Sequence, residues 1–551
     1  MDEDRLSNLP PELLALIVPM VEGKNALRFT CHILCLVVDA CTTQLKWRGG
    51  QGPTPTPPLS LAAALPASCA NITLLDCTPL AKSLVSLAGY PATTVYLMCS
   101  GTKVTDLGPL EACTRLQDLS CDGTMVTDLG PLSACTELQD LDCSGTKVDY
   151  LGPLSACTGL QTLDCHNTLV DDLGPLAACT GLQDLDCHDN RYLADLGPLA
   201  ACTALQSLKC GGSEVADLGP LAAYTALHDL DCCYTFWADL GPLAACMGLQ
   251  DLDCSGTRVA GLGPLAACTG LENLRCSYTE VADLGLLALF TGLQTLDCGS
   301  TKVADLGILS VCRGLQTVVC YDTAVADLSP LSACVKLQTL HCDCTPVAVL
   351  HPLAGCTRLR TLLCRGTQVA DLGPLAACTG LQTLACDKTG VVELGTLAAC
   401  TELQSLHCTG TPVAGLGPLA ACTGLQTLHC DRTPVADLGP LAACIGLQSL
   451  HCTATQVGDL GPLVACTGLK TLWCHHTPVA DLGPLAACTG LQCLHCDCTP
   501  VADVTPLAAC TDLSELQCDR SMPEEQIRLL RALCKGKLYC YPPALRVTLK
   551  P

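Results

Sequence analysis

The sequence predicts an α/β solenoid: one short unit copied along most of the chain, with a parallel β-sheet on one face and single helical turns on the other. Three observations predict it. The first is period. The stretch LGPLAACTGLQTLHCDRTPVAD, which begins at Leu416, recurs with drift, its first leucine falling at Leu107, Leu129, Leu151, Leu173, Leu196, Leu218 and onward to Leu482 and Val504. Every step is 22 residues except Leu173 to Leu196, which is 23. The second is a period-two alternation inside each copy, and the third is a Pro-to-Gly return segment.

The alternation defines the strand. In Leu425 to Cys430 the apolar Leu428 and Cys430 alternate with Thr427 and His429, the pattern of a half-buried strand. Stacked one per repeat, such strands put Leu and Cys inward and Thr427, His429 and Asp431 outward. The position after the strand, where a side-chain ladder would tie repeats together, is almost all Thr: Thr124, Thr146, Thr168, Thr257, Thr433 and Thr477. A hydroxyl both donates and accepts, so this column is expected to act as a shorter ladder. Its one Asn, Asn190, sits in the 23-residue copy, which predicts a bulge just after that strand.

The return segment, Leu438 to Gly446, places Pro440 at a first helical position and Gly446 past the end, the usual asymmetry of a helix. It leaves room for one turn or little more, so short helical or 3₁₀ turns are expected on the convex side. The spacing of Leu425, Leu428, Cys430, Thr433 and Val435 resembles the leucine-rich repeat, in its 22-residue bacterial internalin type. That resemblance implies a sheet-lined concave face that binds a protein ligand.

Net charge is −24, which disfavours nucleic acid, since phosphate contact needs clustered Lys and Arg. A basic protein substrate suits it better. The 48 cysteines are mostly periodic. One column runs Cys121, Cys143, Cys165 through Cys518 and another Cys113, Cys135, Cys157 through Cys510, both expected inward, where a thiol behaves as a small hydrophobe. Reduced thiols in this number, with an acidic amino terminus in place of a signal peptide, suggest the cytosol or nucleus. No membrane span is expected. No phosphate-binding glycine loop, G-x-S-x-G or H-E-x-x-H occurs, so neither an enzyme nor a cofactor or metal is expected. The chain should be a monomer apart from its partners.

Residues 1–48 do not fit the repeat. Pro10, Pro11 and Glu12 look like a helix start, and a second apolar helix is expected over about Ala26 to Asp39. Leu9, Pro10, Glu12, Leu13, Leu14 and Ile17 resemble the F-box opening L-P-x-E-[LI]-[LI]-x-x-[IV], with Leu27, Arg28, Cys31 and Trp47 at following positions. The resemblance implies that Leu9, Pro10, Leu13, Leu14 and Ile17 contact the adaptor subunit of a cullin-type ubiquitin ligase. Leu34, where an F-box usually has Trp, departs from the pattern. The alternative is a helical pair that only caps the solenoid. Residues 49–66 read as an extended Gly/Pro-rich linker, 67–520 as the solenoid and 521–551 as a carboxyl-terminal cap. In that cap a capping box at Ser521 to Glu524 precedes a helix through Ile527, Leu530 and Leu533, and Leu538 to Tyr541 add a last strand.

Two outward strips are candidate partner-binding sites. One is acidic: Asp142, Asp164, Asp186, Asp231 and Asp253. Like charges about 4.8 Å apart repel, so this strip calls for a cation or a basic partner. The other is rich in imidazole: His407, His429, His451, Trp473 and His495. Trp473 is the aromatic expected to anchor a partner, whereas Trp237 occupies an inward Val position.

Overall fold

The computed structural model describes residues 35–38, 44–48, 59–60, 74–77, 84–87, 94–519, 525, 526, 528 and 536–541. They fall into two compact units that divide near residue 260.

Between Gly108 and His495 each repeat contributes one three-residue strand, such as Thr427–His429, and one five-residue 3₁₀ helix, such as Gly439–Ala443. Strands pair in parallel with no slip between like columns: Thr427 faces Ser449, Leu428 faces Leu450 and His429 faces His451. Identical spacing forces this, because a one-residue slip would turn the buried leucine column to solvent. The backbone continues the pairing past the strand, with Cys430 N–H donating to His451 O at 2.8 Å and Gln426 N–H donating to Gln404 O at 2.8 Å.

The core is the stack of inward columns. Leu425, Leu428, Cys430, Val435, Leu438, Leu441 and Cys444 are buried, as are their counterparts in the other repeats. The expected placement of both cysteine columns is borne out, and among the described residues no cysteine forms a disulfide. Burial pushes the Cys444 thiol up to about 11 and Cys430 well above its ordinary value, so these thiols carry little of the thiolate that reacts. The helix-end column is more than a set of small hydrophobes. Cys444 Sγ lies 3.5 Å from the carbonyls of Leu419 and Cys422 in the preceding repeat. Where Tyr224 replaces the cysteine, its hydroxyl donates at 2.6 Å to Leu199 O, the equivalent carbonyl.

Most of the 3₁₀ helices are set by an Asp-x-Gly before them. Asp437 Oδ1 accepts from Gly439 N–H at 2.7 Å, and the same bond recurs at Asp128, Asp172 and Asp481. Much of the negative charge therefore holds turns. At Asp327 and Asp503, bonds from Ser329 and Thr505 keep the carboxyl below its usual range.

The Thr column does not form the expected ladder between repeats. Thr433 Oγ1 donates at 2.6 Å to Cys430 O of its own repeat, and Thr124, Thr146 and Thr257 do likewise. Thr is too short to span to the next strand, and a carbonyl three residues back lies within its reach. The inter-repeat ladder lies elsewhere: Gln338 Nε2 donates to Gln316 Oε1 at 3.1 Å, Gln316 to Gln294 at 2.9 Å, and Gln294 to Glu272 at 2.7 Å. Asn190 alone in the Thr column bridges repeats. Its extra residue falls between Asn190 and the buried Leu193, whose N–H donates to Asn190 O at 3.0 Å.

Among the described residues, the second residue after each strand cysteine from Cys99 to Cys496 has a positive φ, whether it is Gly410 (69°), Arg432 (55°), Ala454 (55°) or His476 (56°). The turn imposes this conformation, and a side chain there costs about 1–2 kcal/mol. Ala454→Gly is therefore expected to stabilise the protein by about 0.5–1 kcal/mol, after the extra unfolded-state entropy of glycine is subtracted. Urea denaturation would check it, and a destabilised variant would mean that the turn tolerates Ala without strain.

The amino-terminal reading needs correction. Cys35–Val38, placed at the sequence level in a helix, is a strand antiparallel to Gln44–Arg48, which pairs in parallel with Leu74–Asp76 of the repeat sheet. The run Cys-Leu-Val-Val favours extended backbone, and the open edge of a sheet offers it unpaired N–H and C=O groups. Leu59–Ser60, assigned to the linker, pairs with Leu84 and Ser86. Leu9, Pro10, Leu13, Leu14 and Ile17 lie outside the described residues. At the other end the expected last strand is present: Lys537–Tyr541 pairs in parallel with Glu515–Asp519. Residues 525, 526 and 528 are helical, and Gln526 Oε1 accepts from Val504 N–H at 3.0 Å. Ile527, Leu530 and Leu533 lie outside the described residues.

Candidate functional site: two strips on the sheet face

Parallel in-register pairing turns each outward sequence column into a strip of neighbouring side chains. Asp142, Asp164, Asp186, Asp231 and Asp253 lie half-buried on the sheet face of the first unit, and His407, His429, His451 and Trp473 half-buried on that of the second.

The acidic strip meets its own repulsion from within. Each carboxylate folds back on the turn that follows: Asp142 Oδ1 accepts from Ser144 N–H at 3.0 Å, Asp231 from Cys233 at 3.0 Å and Asp253 from Ser255 at 2.9 Å. Asp164 and Asp186 also contact Nδ1 of His166 and His188, at 2.7 and 2.6 Å, and those two rings stack at 4.3 Å. Lys209 stands in the column between Asp186 and Asp231 and reaches Asp186 at 3.4 Å. The expected need for a cation is thus met in part by Lys209 and by backbone N–H groups. Desolvation still raises Asp142, partly opposed by its bonds from Ser144.

The second strip is a stack of rings. His407 meets His429 edge-on at 4.3 Å, and His429, His451, Trp473 and His495 then stack nearly parallel, with centroids 3.9, 4.0 and 4.8 Å apart. The cause is the sheet: strands of this spacing hold flat side chains of one column near van der Waals contact. Ring faces cover one another, and ring edges line the sheet face. Desolvation lowers the imidazoles of His407, His429 and His451, with neighbouring imidazoles adding to it at His407 and His451, and His451 falls to about 4. Trp237 is buried with its Nε1 donating to Cys232 O at 3.3 Å, so its packing role is borne out.

Sequence reading missed one cluster at the end of this stack. Cys493 Sγ and Glu515 Oε1 lie 3.5 and 3.3 Å from His495 Nε2. The available signal was that Cys493 and Glu515 occupy a column filled by Thr427, Ser449 and Thr471 in preceding repeats. His495 is 7% exposed, the most buried member of its strip. Both contacts meet the same ring nitrogen, so this is not the relay of a nucleophile triad, in which base and orienting acid use opposite nitrogens. Among the described residues no helix is long and apolar enough to cross a membrane.

A profile described as "Leucine Rich repeats (2 copies)" matches residues 136–178 and 158–201. No curated protein matches the chain significantly in sequence. Among solved structures, an internalin (inlF) from Listeria monocytogenes is 27% identical over 52% of this chain and 85% of its own, with a TM-score of 0.51. The functional domain of InlJ from the same organism, described as including a cysteine ladder, is 24% identical over 64% of this chain and 71% of its own, at 0.50. The ectodomain of the Arabidopsis thaliana receptor kinase GASSHO1/SCHENGEN3 is 14% identical over 82% of this chain and 68% of its own, at 0.58. The fold is that of a leucine-rich repeat solenoid.

Proposed function

We propose that this chain is a binding protein that holds a protein or peptide partner on its sheet face. The observation that carries the reading is the stack of His429, His451, Trp473 and His495. It is a packed strip of ring edges with little side-chain entropy left to lose on binding. Trp473 is its anchor, and the acidic strip from Asp142 to Asp253 on the first unit favours basic ligands in its own right. Catalysis has no comparable support. The buried thiols, pushed up by desolvation, suit a reducing compartment, the cytosol or nucleus.

Selection of a displayed random-peptide library on the full chain tests the reading. Enriched peptides should lose at least tenfold in affinity with Trp473→Ala. Asp142→Asn/Asp164→Asn should weaken basic ones, and Ala443→Ser on the helical side should change nothing. Equal binding by all variants would overturn the assignment of the sheet face.

A finer reading is favoured by the motif at Leu9, Pro10, Glu12, Leu13, Leu14 and Ile17. In it the chain is a substrate-recognition subunit of a cullin-type ubiquitin ligase, with those residues holding the adaptor and the sheet face holding the substrate. The pairing of Gln44–Arg48 with the repeat sheet supports the alternative, a cap on a scaffold unrelated to ubiquitin. Pull-down of the purified adaptor by the full chain, with Leu13→Asp/Ile17→Asp as control, separates them. Capture that the control abolishes supports the ligase subunit, and no capture leaves the cap.

A further inference from the structure

We propose that Cys493, His495 and Glu515 form a binding site for a single zinc ion on the sheet face. The three ligand atoms lie within 4.8 Å of one another. A zinc ion bonded to S at about 2.3 Å and to N and O at about 2.0–2.2 Å, at tetrahedral angles, sets S···N near 3.5 Å and N···O near 3.4 Å. The observed separations are 3.5 and 3.3 Å.

Hydrogen bonding alone accounts poorly for this convergence. Nε2 carries either one proton or one lone pair. If the thiol donates to the lone pair, the carboxylate faces a second acceptor at 3.3 Å. If Nε2–H donates to Glu515, the thiol finds no acceptor there. A cation at the centre satisfies a thiolate, an imidazole nitrogen and a carboxylate together. Repeat copying does not explain the cluster either, since the column carries Thr427, Ser449 and Thr471 before Cys493. Trp473 stacks on His495 at 4.8 Å with rings 6° from parallel, which fixes the imidazole as the orienting groups around metal ligands do. Lys537 is the register partner of Glu515 on its other side. Three protein ligands leave a fourth position open.

The test uses the full chain, reduced, stripped with chelator and titrated with Co²⁺ and then Zn²⁺. One ion should bind per chain, with a thiolate-to-cobalt charge-transfer band that Zn²⁺ bleaches. Cys493→Thr, which restores the residue of the preceding strand, should abolish the band while leaving the circular dichroism unchanged. Glu515→Gln should weaken binding at least tenfold. A second group, His476, Asp497 and Cys498, lies close by, so His476→Asn/Cys498→Ser serves as the control and should keep the band. No uptake by the parent chain, a band that survives Cys493→Thr, or a band lost only in the control would each overturn the proposal.

Discussion

Lowering the pH from 7 to 4.5 is expected to destabilise the second unit by several kcal/mol, and replacing two imidazoles of the ring stack should remove about half of that loss. The imidazoles of His407, His429, His451 and His475 are all lowered, desolvation being the largest cause in each case. The sign follows from linkage. A group whose folded value lies below its unfolded value contributes stability that is complete above the unfolded value, near 6.5. That contribution is lost as pH falls toward the folded value, because the unfolded chain takes up protons that the folded one refuses. For His451, at about 4, the full shift corresponds to about 3 kcal/mol, reduced to about 1–2 kcal/mol because the ring edge meets solvent. Protonated neighbours would also sit about 4 Å apart, as the centroid spacings of 3.9 and 4.3 Å show.

Urea midpoints of the parent and of His429→Ala/His451→Ala at pH 7.5 and 4.5 check this. Alanine already stands in the column at Ala385, so the substitution fits the strand. Groups outside the ring stack are common to both proteins and cancel in the comparison. An acid-induced loss identical in the two would mean that the stack is not what titrates.

The second large effect is expected at Asn190. It is fully buried, and its side chain joins two repeats. Oδ1 accepts from Thr168 N–H at 2.8 Å and from Thr168 Oγ1 at 2.9 Å, while Nδ2 donates to Cys165 O at 3.0 Å. Asn190→Ala leaves Thr168 N–H without its partner where water does not reach, a cost of about 1–3 kcal/mol, and removes one of the two bonds to Cys165 O, which keeps Thr168 Oγ1 at 2.8 Å. A loss of about 3 kcal/mol is expected. Thr433→Ala, which removes one bond within a single repeat, should cost about 1 kcal/mol. Denaturation of both variants, with hydrogen exchange across residues 165–193, would check the contrast. Equal costs would show that the bridge contributes nothing beyond a local turn bond.

Much of this fold was legible because a repeat states its own contacts. A constant step of 22 residues leaves in-register parallel pairing as the arrangement that buries every Leu428-type residue, so strand, turn and core columns could be read from one copy. Side-chain partners within the columns were less legible. Donor chemistry suggested that Thr433 could form a ladder, but reach decided that it bonds its own strand and that the longer Gln side chains span the repeats. At the amino terminus, Cys35–Val38 has an apolar pattern that fits a helix or a strand, and the open sheet edge beside it selected the strand.

The sequence by itself determined the solenoid, its strand and 3₁₀ segments, the buried cysteine columns and the two outward strips, because periodicity converts spacing directly into neighbourhood. The tertiary structure decided what the neighbours do to each other. It made five separate outward residues into a ring stack, set carboxylates on their own turns, and brought Cys493 and Glu515 to one nitrogen of His495. Those outcomes depend on side-chain length and direction at distances of 3 to 5 Å, which spacing along the chain does not encode.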